Sequence, residues 1–488
     1  MIRPFLIGNE WRKAERETFE AIYPADGSVS GVIAEANAGD VDDAVRAARG
    51  ALASPQWRDM PAHRRARLLL AFADAVEREG ERLAEMQTRD NGKTIAESRA
   101  QVLGACEFFR YYAAVCETAQ GDVVPPRGPY FSFVEHVPLG VVAAVTPWNS
   151  PLTHEAQKIA PAIAAGNTVV LKSSEVTPQI GLEYGRIALE VGFPAGVLNV
   201  VTGHGQVGEA LVRHPGVDMV SFTGGTRTGR AIGAITGQRA IPAILELGGK
   251  SPNVVCDDAD LDVAVRGAML GIFHNAGQSC NAGSRIFVQA SVHDAFVEKL
   301  VAATRALIVG DPFDAMTSVA PLSSFGHRDR IERMLETAVA EGASVLAGGS
   351  RPADAKFAGG AYLDPTLLGT TNRMAIARDE IFGPVGCVIP FDDDDDLLAQ
   401  AADNDFALAC GVWSRDFPRA LRLVRRIDAG VAWINTYKAT PVNMPFGGNK
   451  ATGVGREAGL MGMRAYMTQK SITVGLDGAA MAGWPPSL

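Results

Sequence analysis

The chain has 488 residues, 47% of them hydrophobic and 21% charged, with a net charge of −9 at pH 7. This length is more than one simple core accommodates, so we expect two or three soluble domains. The negative charge, without any Lys/Arg run, argues against nucleic acid or an anionic membrane as a partner. No apolar stretch approaches the ~18–20 residues of a membrane span, and the N-terminus lacks the apolar core of a signal peptide, which favours the cytoplasm.

The first third of the chain alternates helix and strand patterns. Ala-, Arg- and Glu-rich amphipathic periodicity predicts helices over Val41–Ala53, Arg64–Gln87 and Ala96–Ala119. A Pro/Gly-rich stretch at Gly121–Gly128 precedes Tyr130–His136, which alternates like one strand of a hairpin. Such a hairpin would protrude and pair with another subunit.

From Val137 the pattern becomes strand, loop and helix in repetition. Short, wholly apolar strands separated by helices indicate a parallel sheet covered on both faces, which binds ligands at the C-terminal ends of its strands. The predicted strands are Val141–Thr146, Thr168–Lys172, Val197–Val201 and Asp218–Phe222, and the predicted helices are His154–Ala164 and Ile180–Val191.

A second series of helices and strands begins near Gly248. We therefore place a domain boundary near Leu247, so that a cleft between the domains would contain both Glu246 and Cys280. In this series the predicted helices are Asp260–Phe273, Val292–Leu307, Arg328–Glu341 and Asp416–Ile427, and the strands are Ser284–Val288, Gly386–Pro390 and Val431–Asn435.

Metal and disulfide sites are not expected. The six cysteines have no CxxC spacing and the eight histidines form no paired-ligand pattern. The acidic run Asp392–Asp396 has the composition of a metal site, but it is more typical of a solvated loop between a strand and a helix.

Cys280 is the strongest candidate for a chemical role. It lies among small and polar residues, between Gly277 and Gly283, whereas a cysteine that only fills a core is normally surrounded by Leu, Val and Ile. Upstream, Glu246 is a single carboxylate between two leucines and beside paired glycines. A thiol nucleophile and an apolar-flanked base are a pair that covalent catalysis uses.

Several polar or Gly-rich segments follow predicted strands. Phe222–Gly229 enters a helix, where backbone amides suit a pyrophosphate, although it is not a GxGxxG motif and a tight turn would need the same glycines. Lys172 and Glu175 suit ribose hydroxyls, or else they flank a helix start capped by Ser173 or Ser174. A carboxylate at Glu175 would repel a 2′-phosphate, which favours NAD over NADP.

Two further residues have both a chemical and a structural interpretation. The Asn149 side chain has an NH2 group suited to an oxyanion, together with the backbone NH of Cys280, but an Asn before Ser-Pro is also a common turn residue. Glu380 precedes a Gly-Pro turn, where it either reaches a second ribose or caps a helix.

The order and spacing of these motifs resemble the aldehyde dehydrogenase superfamily, of the hydrolytic type that does not acylate CoA. The resemblance covers essentially the whole chain, from Ile7 to the terminal strand at Ile472–Leu476. It is carried by seven runs: Val145-Thr-Pro-Trp-Asn-Ser-Pro151, Ala164-Ala-Gly-Asn-Thr-Val-Val-Leu-Lys172, Ser221-Phe-Thr-Gly224, Leu245-Glu-Leu-Gly-Gly-Lys250, Gly277-Gln-Ser-Cys280, Glu380-Ile-Phe-Gly-Pro384 and Pro445-Phe-Gly-Gly448.

The resemblance implies an α/β fold with two doubly wound αβα domains and a small β oligomerisation element. The NAD-binding domain would comprise residues 1–118 and 138–247, the catalytic domain 248–445, and the oligomerisation element 119–137 and 465–488. The assembly would be a homodimer or a homotetramer, with NAD as cofactor and a small aldehyde as substrate.

The resemblance also implies roles for single residues. Cys280 would be the nucleophile, Glu246 the base that activates the hydrolytic water, and Asn149 the oxyanion donor. The residues that would contact the cofactor are Thr146, Trp148, Lys172, Glu175, Gly224, Gly225, Gly229, Leu247, Glu380 and Phe382.

Departures from the family pattern affect the cofactor side. Ser173 replaces the proline that commonly follows the cofactor lysine, and Gly225 stands where serine is frequent. His327 stands where a glutamine contact to a ribose is expected, and the segment at Phe406-Ala-Leu408 is altered. None of these changes touches Cys280, Glu246 or Asn149.

The substrate is predicted from five polar residues. Ser150, His154 and Gln157 share one helix face, and Ser279 and Asn281 flank the nucleophile. Their family counterparts line the substrate tunnel, so we expect a polar or hydroxylated aldehyde or a semialdehyde, with an aromatic aldehyde as the alternative. The interpretation requires these side chains to face the tunnel. An alternative from another class is a catalytically idle relative that binds NAD or a partner.

Overall fold

The computed structural model describes residues 2–12 and 17–476. Its first large sheet has eight strands, of which five adjacent ones are parallel and largely buried. Chain order reverses at the strand Val141–Val145, which creates a switch point where ligands commonly bind. The strands, in spatial order, are Gly453–Val454, Ala243–Glu246, Met219–Thr223, Val141–Val145, Thr168–Lys172, Leu198–Val201, Phe5–Ile7 and Glu10–Arg12.

The second large sheet has seven strands and is parallel except at one edge, where the first two strands pair antiparallel. It has its own hydrophobic core, whose first residue in the chain is Val254. The core of the first sheet consists of residues up to Leu247, together with Met463 and Tyr466 from near the C-terminus. Its strands, in spatial order, are Ser344–Ala347, Thr366–Gly369, Val385–Phe391, Arg285–Gln289, Pro252–Val255, Ala409–Trp413 and Val431–Ile434.

Helices cover both sheets, and the doubly wound α/β prediction is confirmed. Those of the first part are Ala38–Ala53, Pro55–Arg58, Ala62–Arg78, Gly80–Asn91, Ile95–Val115, Pro151–Ala165, Gln179–Glu190, Gly205–Arg213, Thr226–Arg239 and, from the C-terminal end, Gly459–Arg464; those of the second are Leu261–Phe273, His293–Arg305, Phe325–Ala340, Ala375–Arg378, Asp394–Ala402 and Phe417–Arg426. Within the described ranges, no helix is long and apolar enough to cross a membrane.

The small β element pairs the predicted strand at Tyr130–His136 with the C-terminal segment that the resemblance assigns to the same element. Tyr130–Pro138 pairs antiparallel with Met467–Gly475, so the partner strand comes from the C-terminal end of the chain. Only a single bridge, Val123 with Phe133, joins it to the preceding Pro/Gly-rich stretch. Residues 477–488, the remainder of the predicted oligomerisation element, lie outside the described residues. Two further small sheets consist of Ile2–Arg3, Thr18–Ile22 and Val29–Ala34, and of Phe406–Ala407 with Asn449–Lys450.

Two helix predictions and one loop prediction need correction. The single helix predicted over 64–87 is two helices, which meet at Glu79 with φ −98° and ψ 13°, because Gly80 favours a break over a continuous helix. The helix predicted to end at Ala119 ends at Val115. The acidic run is a loop only in part: Asp393 caps a helix that begins at Asp394, as carboxylates near a helix N-terminus favour.

Candidate active site

The loop that carries Cys280 is held in an unusual backbone conformation. After the helix Leu261–Phe273, Asn275, Ala276 and Gly277 have positive φ angles of 55°, 50° and 72°. A Cβ atom on Gly277 would collide with the backbone of Gly383-Pro384. The glycine therefore allows the loop to press against the segment after Glu380.

Cys280 lies between two cavities and is partly buried. The pKa of its thiol is raised to about 12, mainly by burial and also by the carboxylates of Glu246 and Glu380, while Lys438 acts in the opposite direction. A thiol in this setting needs help to ionise before it acts as a nucleophile.

Asn149 follows the strand Val141–Val145, and both its side chain and its backbone carbonyl form hydrogen bonds with neighbouring segments. Its Nδ2 donates to the carbonyl of Gln278 at 3.1 Å. Its backbone carbonyl accepts hydrogen bonds from Lys93 Nζ at 2.9 Å and from Asn275 Nδ2 at 3.0 Å. Asn149 lines the same two cavities as Cys280, so the second N–H of its amide is available beside the thiol.

Glu246 ends the strand Ala243–Glu246 and is 4% exposed. Its neighbours Leu247 and Gly248 line the cavity at Cys280, while Glu246 lies behind this wall. The backbone of Gly249 packs against the Cys280 carbonyl, which brings this segment to the nucleophile. Within the described residues, Glu246 Oε1 accepts no hydrogen bond.

The surroundings of Glu246 disfavour its charged form and make it a stronger base than an exposed carboxylate. Burial raises the pKa of Glu246 well above its usual value, and the nearby Glu457 raises it further. Lys158 and Arg456 oppose the shift, but Lys158 is bound to Glu457 at 2.6 Å in a buried ion pair. A carboxyl with a raised pKa is suited to exchange protons near neutral pH.

A first cavity, of about 800 Å³, opens at the C-terminal ends of three parallel strands. Lys172 Nζ lies 3.1 Å from Glu175 Oε2. Burial opposes ionisation of Glu175, yet the Lys172 ammonium holds the pKa of this carboxyl below its usual range. Six of the predicted cofactor residues line this cavity: Thr146, Trp148, Lys172, Glu175, Gly224 and Gly225.

A second cavity, of about 420 Å³, shares part of this wall and reaches Cys280. Glu380 Oε1 accepts a hydrogen bond from the Gly249 backbone NH at 3.0 Å, and burial raises the pKa of Glu380 to about 7. Three more predicted cofactor residues line it: Leu247, Glu380 and Phe382. The cofactor residues and the nucleophile are thus joined by one continuous wall.

A third cavity, of about 580 Å³, meets Cys280 and Asn149 from the other side. Ser150 accepts a hydrogen bond from Gln101 Nε2 at 2.8 Å. Burial lowers the pKa of His154 to about 3, so its imidazole is neutral, and its Nδ1 has no hydrogen-bond partner in the described part of the chain. All five predicted tunnel residues line this cavity: Ser150, His154, Gln157, Ser279 and Asn281.

Comparison with known proteins agrees with this geometry. The model of the aldehyde dehydrogenase family matches residues 11–472. A Burkholderia cenocepacia protein assigned as an aldehyde dehydrogenase is 42% identical over 100% of this chain and 99% of its own, with a TM-score of 0.96. The chain belongs to the aldehyde dehydrogenase family. It is an oxidoreductase that acts on aldehydes.

Two further solved members of the family contain NAD+. An aldehyde dehydrogenase from Bacillus cereus in complex with NAD+ is 37% identical over 98% of this chain and 97% of its own, with a TM-score of 0.95. The betaine aldehyde dehydrogenase of Staphylococcus aureus in complex with NAD+ is 36% identical over 97% of this chain and 95% of its own, with a TM-score of 0.96.

Among the residues of this aldehyde dehydrogenase singled out on the cofactor side, Gly229 lines neither of the first two cavities, whereas His327 lines the second. Gly229 packs against the Leu247 side chain, where a Cβ atom would collide with it, so it fits the helix to the cavity wall. His327 lines the second cavity, and its Nε2 lies 2.7 Å from the Phe382 carbonyl. Burial lowers the pKa of His327 to about 4, so the neutral ring donates this hydrogen bond.

One wall of the third cavity was not predicted from the sequence. Residues 430–433, 439–442 and 444–446 line this cavity, together with Phe108 from the helix Ile95–Val115. Trp433 and Phe446 make this wall largely apolar. The sequence gives little indication of this wall. The segment ends in the Pro445-Phe-Gly-Gly448 motif, but its neighbouring residues do not indicate that it lines a cavity with Cys280.

Proposed function

We propose that this enzyme oxidises a polar aldehyde, hydroxylated or carrying a carboxylate, to the carboxylate with NAD+. The reaction would proceed through a thioester on Cys280, and water would release the product. The observation that carries the proposal is the position of Cys280 between a strand-end cavity and a polar-walled cavity, beside the Asn149 amide.

Residues of the strand-end cavity fit a dinucleotide. The hydroxyl of Thr223, which lines this cavity, is buried and without a hydrogen-bond partner among residues 2–12 and 17–476, so a ligand would satisfy it. A Cβ atom on Gly225 would meet only open space at this edge. Lys172 and Glu175 would hold the adenine ribose and Glu380 the nicotinamide ribose. Glu175 would repel a 2′-phosphate, which favours NAD+ over NADP+.

The Cys280 thiolate attacks the aldehyde carbon, and the carbonyl oxygen becomes an oxyanion. Asn149 Nδ2 and the Cys280 backbone NH stabilise this charge because both donors lie beside the thiol. NAD+, when bound, supplies the hydride acceptor that oxidises this adduct. The acyl group is then held on Cys280 as a thioester.

Glu246 completes the reaction as a general base. It takes a proton from water, the hydroxide adds to the thioester carbonyl, and collapse of the adduct releases the carboxylate and the Cys280 thiolate. Burial, which raises the pKa of Glu246, favours this role because a stronger base removes the proton more readily. A base here also favours water over CoA as the acceptor of the acyl group.

The substrate class rests on the two walls of the third cavity. The helix wall offers the neutral imidazole of His154 and the amide of Gln157, which bind hydroxyl or carboxylate groups. An aromatic aldehyde is the second candidate because Phe108, Trp433 and Phe446 line the same cavity.

The test is the rate of NADH formation with an aldehyde panel. We expect kcat/KM for a hydroxylated or carboxylated aldehyde to exceed that of hexanal of similar length by about tenfold or more. Benzaldehyde as the best substrate would favour the aromatic alternative, and hexanal as the best would contradict both. The matched control, Cys280→Ala, should form no NADH with any aldehyde while still binding NAD+.

We also propose a cytoplasmic homodimer or homotetramer. The paired strands Tyr130–Pro138 and Met467–Gly475 support this, because their sheet has two strands only and carries exposed Phe131 and Val474.

A further inference from the structure

Lys438 places a buried ammonium group close to the active site. Its Nζ is shielded from solvent and has no hydrogen-bond partner in the portions of the chain that are described. Its backbone has a φ of 60°, a left-handed conformation that a lysine seldom adopts. An unpaired buried charge and a strained backbone both cost stability, so the position calls for a functional explanation.

Lys438 directly precedes a segment that lines the cavity containing the nucleophile. It follows the strand Val431–Ile434, and the next residue, Ala439, lines the third cavity together with Cys280. Lys438 and Cys280 are within Coulombic range of each other: the ammonium lowers the pKa of the thiol, and the thiolate raises the pKa of the ammonium. Burial, the larger effect, lowers the pKa of Lys438 to about 8.

The groups around Lys438 leave an excess of positive charge. Lys93 Nζ is bound to the Asn149 carbonyl, and burial lowers the pKa of Lys93 to about 7. Glu97 accepts a hydrogen bond from the Asn275 backbone NH at 2.6 Å. Burial lowers the pKa of His274 to about 4, so this ring, 3.8 Å from Glu97, is neutral.

The groups on the cofactor side of Cys280 do not stabilise its thiolate. Glu246 and Glu380 both disfavour the thiolate. His154 and His327, which line the second cavity with Cys280, are neutral because burial lowers the pKa of each, to about 3 and about 4. The thiol therefore lies between carboxylates on one side and lysines on the other.

We propose that Lys438 is a positioning residue whose ammonium pairs with the Cys280 thiolate and increases the ionised fraction of the nucleophile. The thiolate gains a cation, and the ammonium gains a second negative neighbour besides the Glu97 carboxylate. The inference rests on the proposed role of Cys280, but it is tested without turnover.

The test compares Lys438→Met, which removes the charge, with Lys438→Arg, which keeps it. Lys450→Met is the matched control: Lys450 also has a left-handed φ, of 53°, but it is exposed and lies 3.4 Å from Asp428. Alkylation of Cys280 by iodoacetamide is followed by mass spectrometry of its peptide between pH 6 and 10. We expect Lys438→Met to raise the pKa of the Cys280 thiol by about one unit. At a pH below this pKa, alkylation should then be about tenfold slower than in the unmodified enzyme. Lys438→Arg and Lys450→Met should stay within about twofold of the unmodified enzyme.

Two results would overturn the proposal. One is alkylation of folded Lys438→Met at the normal rate, and the other is equal slowing in Lys438→Met and Lys438→Arg, which would indicate a packing role. We expect Lys438→Met to keep or raise Tm, because an unpaired buried charge is removed; if it unfolds, Lys438→Gln is measured under the same criteria. Cys280→Ala that retained turnover would instead refute the proposed function.

Discussion

The two sides of Cys280 are built in different ways. The cofactor side consists of the ends of adjacent parallel strands, where Thr146, Lys172 and Gly224 each follow their strand directly. The substrate side is assembled from side chains of distant segments, with Gln157 from one helix and Trp433 from the far end of the chain. Cofactor recognition is therefore a local property of the fold, and substrate recognition depends on tertiary packing.

Asn149 lies where both sides meet, so its loss should affect every substrate. We expect Asn149→Ala to lower kcat by about 10²–10³-fold for all aldehydes, because one oxyanion donor is removed. Stopped-flow or steady-state NADH formation measures the loss, and the Kd for NAD+ should remain within about twofold. A loss confined to some aldehydes would place Asn149 on the substrate side alone.

Lys172 tests the cofactor side by itself. Lys172→Met should raise the Kd for NAD+ by about tenfold, since a charge-assisted hydrogen bond to ribose is lost. Titration of the enzyme with NAD+ by calorimetry gives this value. The ratio of kcat/KM between two aldehydes should not change, and a changed ratio would show that the two sides are not independent.

Gln157 tests the substrate side in the same manner, with a smaller effect. Gln157→Leu should shift the kcat/KM ratio of a hydroxylated aldehyde to hexanal by about fivefold towards hexanal, because an amide in the cavity wall is replaced by an apolar group. The Kd for NAD+ serves as the control. An unchanged ratio would mean that the amide does not contact the substrate.

The difference between a locally built cofactor side and a substrate side assembled from distant segments explains which site residues the sequence could predict. The strands around Thr168–Lys172 and the motifs at their ends are local patterns, and the structure brings nine of the ten predicted cofactor residues to two connected cavities. Gly229 has the spacing of a cofactor-binding glycine in the family pattern. In the structure it packs against the Leu247 side chain.

Features that depend on distant contacts were missed. The alternation in Tyr130–Pro138 indicates a strand but not its partner; only the family resemblance grouped it with the C-terminal segment, where Met467–Gly475 pairs with it. Trp433 and Lys438 approach Cys280 only after the second sheet has formed, so their sequence neighbourhood does not indicate the active site.

The hydrolysis of a Cys280 thioester by water that Glu246 activates is the central claim, and Glu246→Gln tests it most directly. On rapid mixing with NAD+ and aldehyde, we expect a burst of about one NADH per active site, followed by turnover slowed about 10²–10⁴-fold, because hydride transfer proceeds without the base while hydrolysis does not. Steady NADH formation at the normal rate, without a burst, would contradict the account.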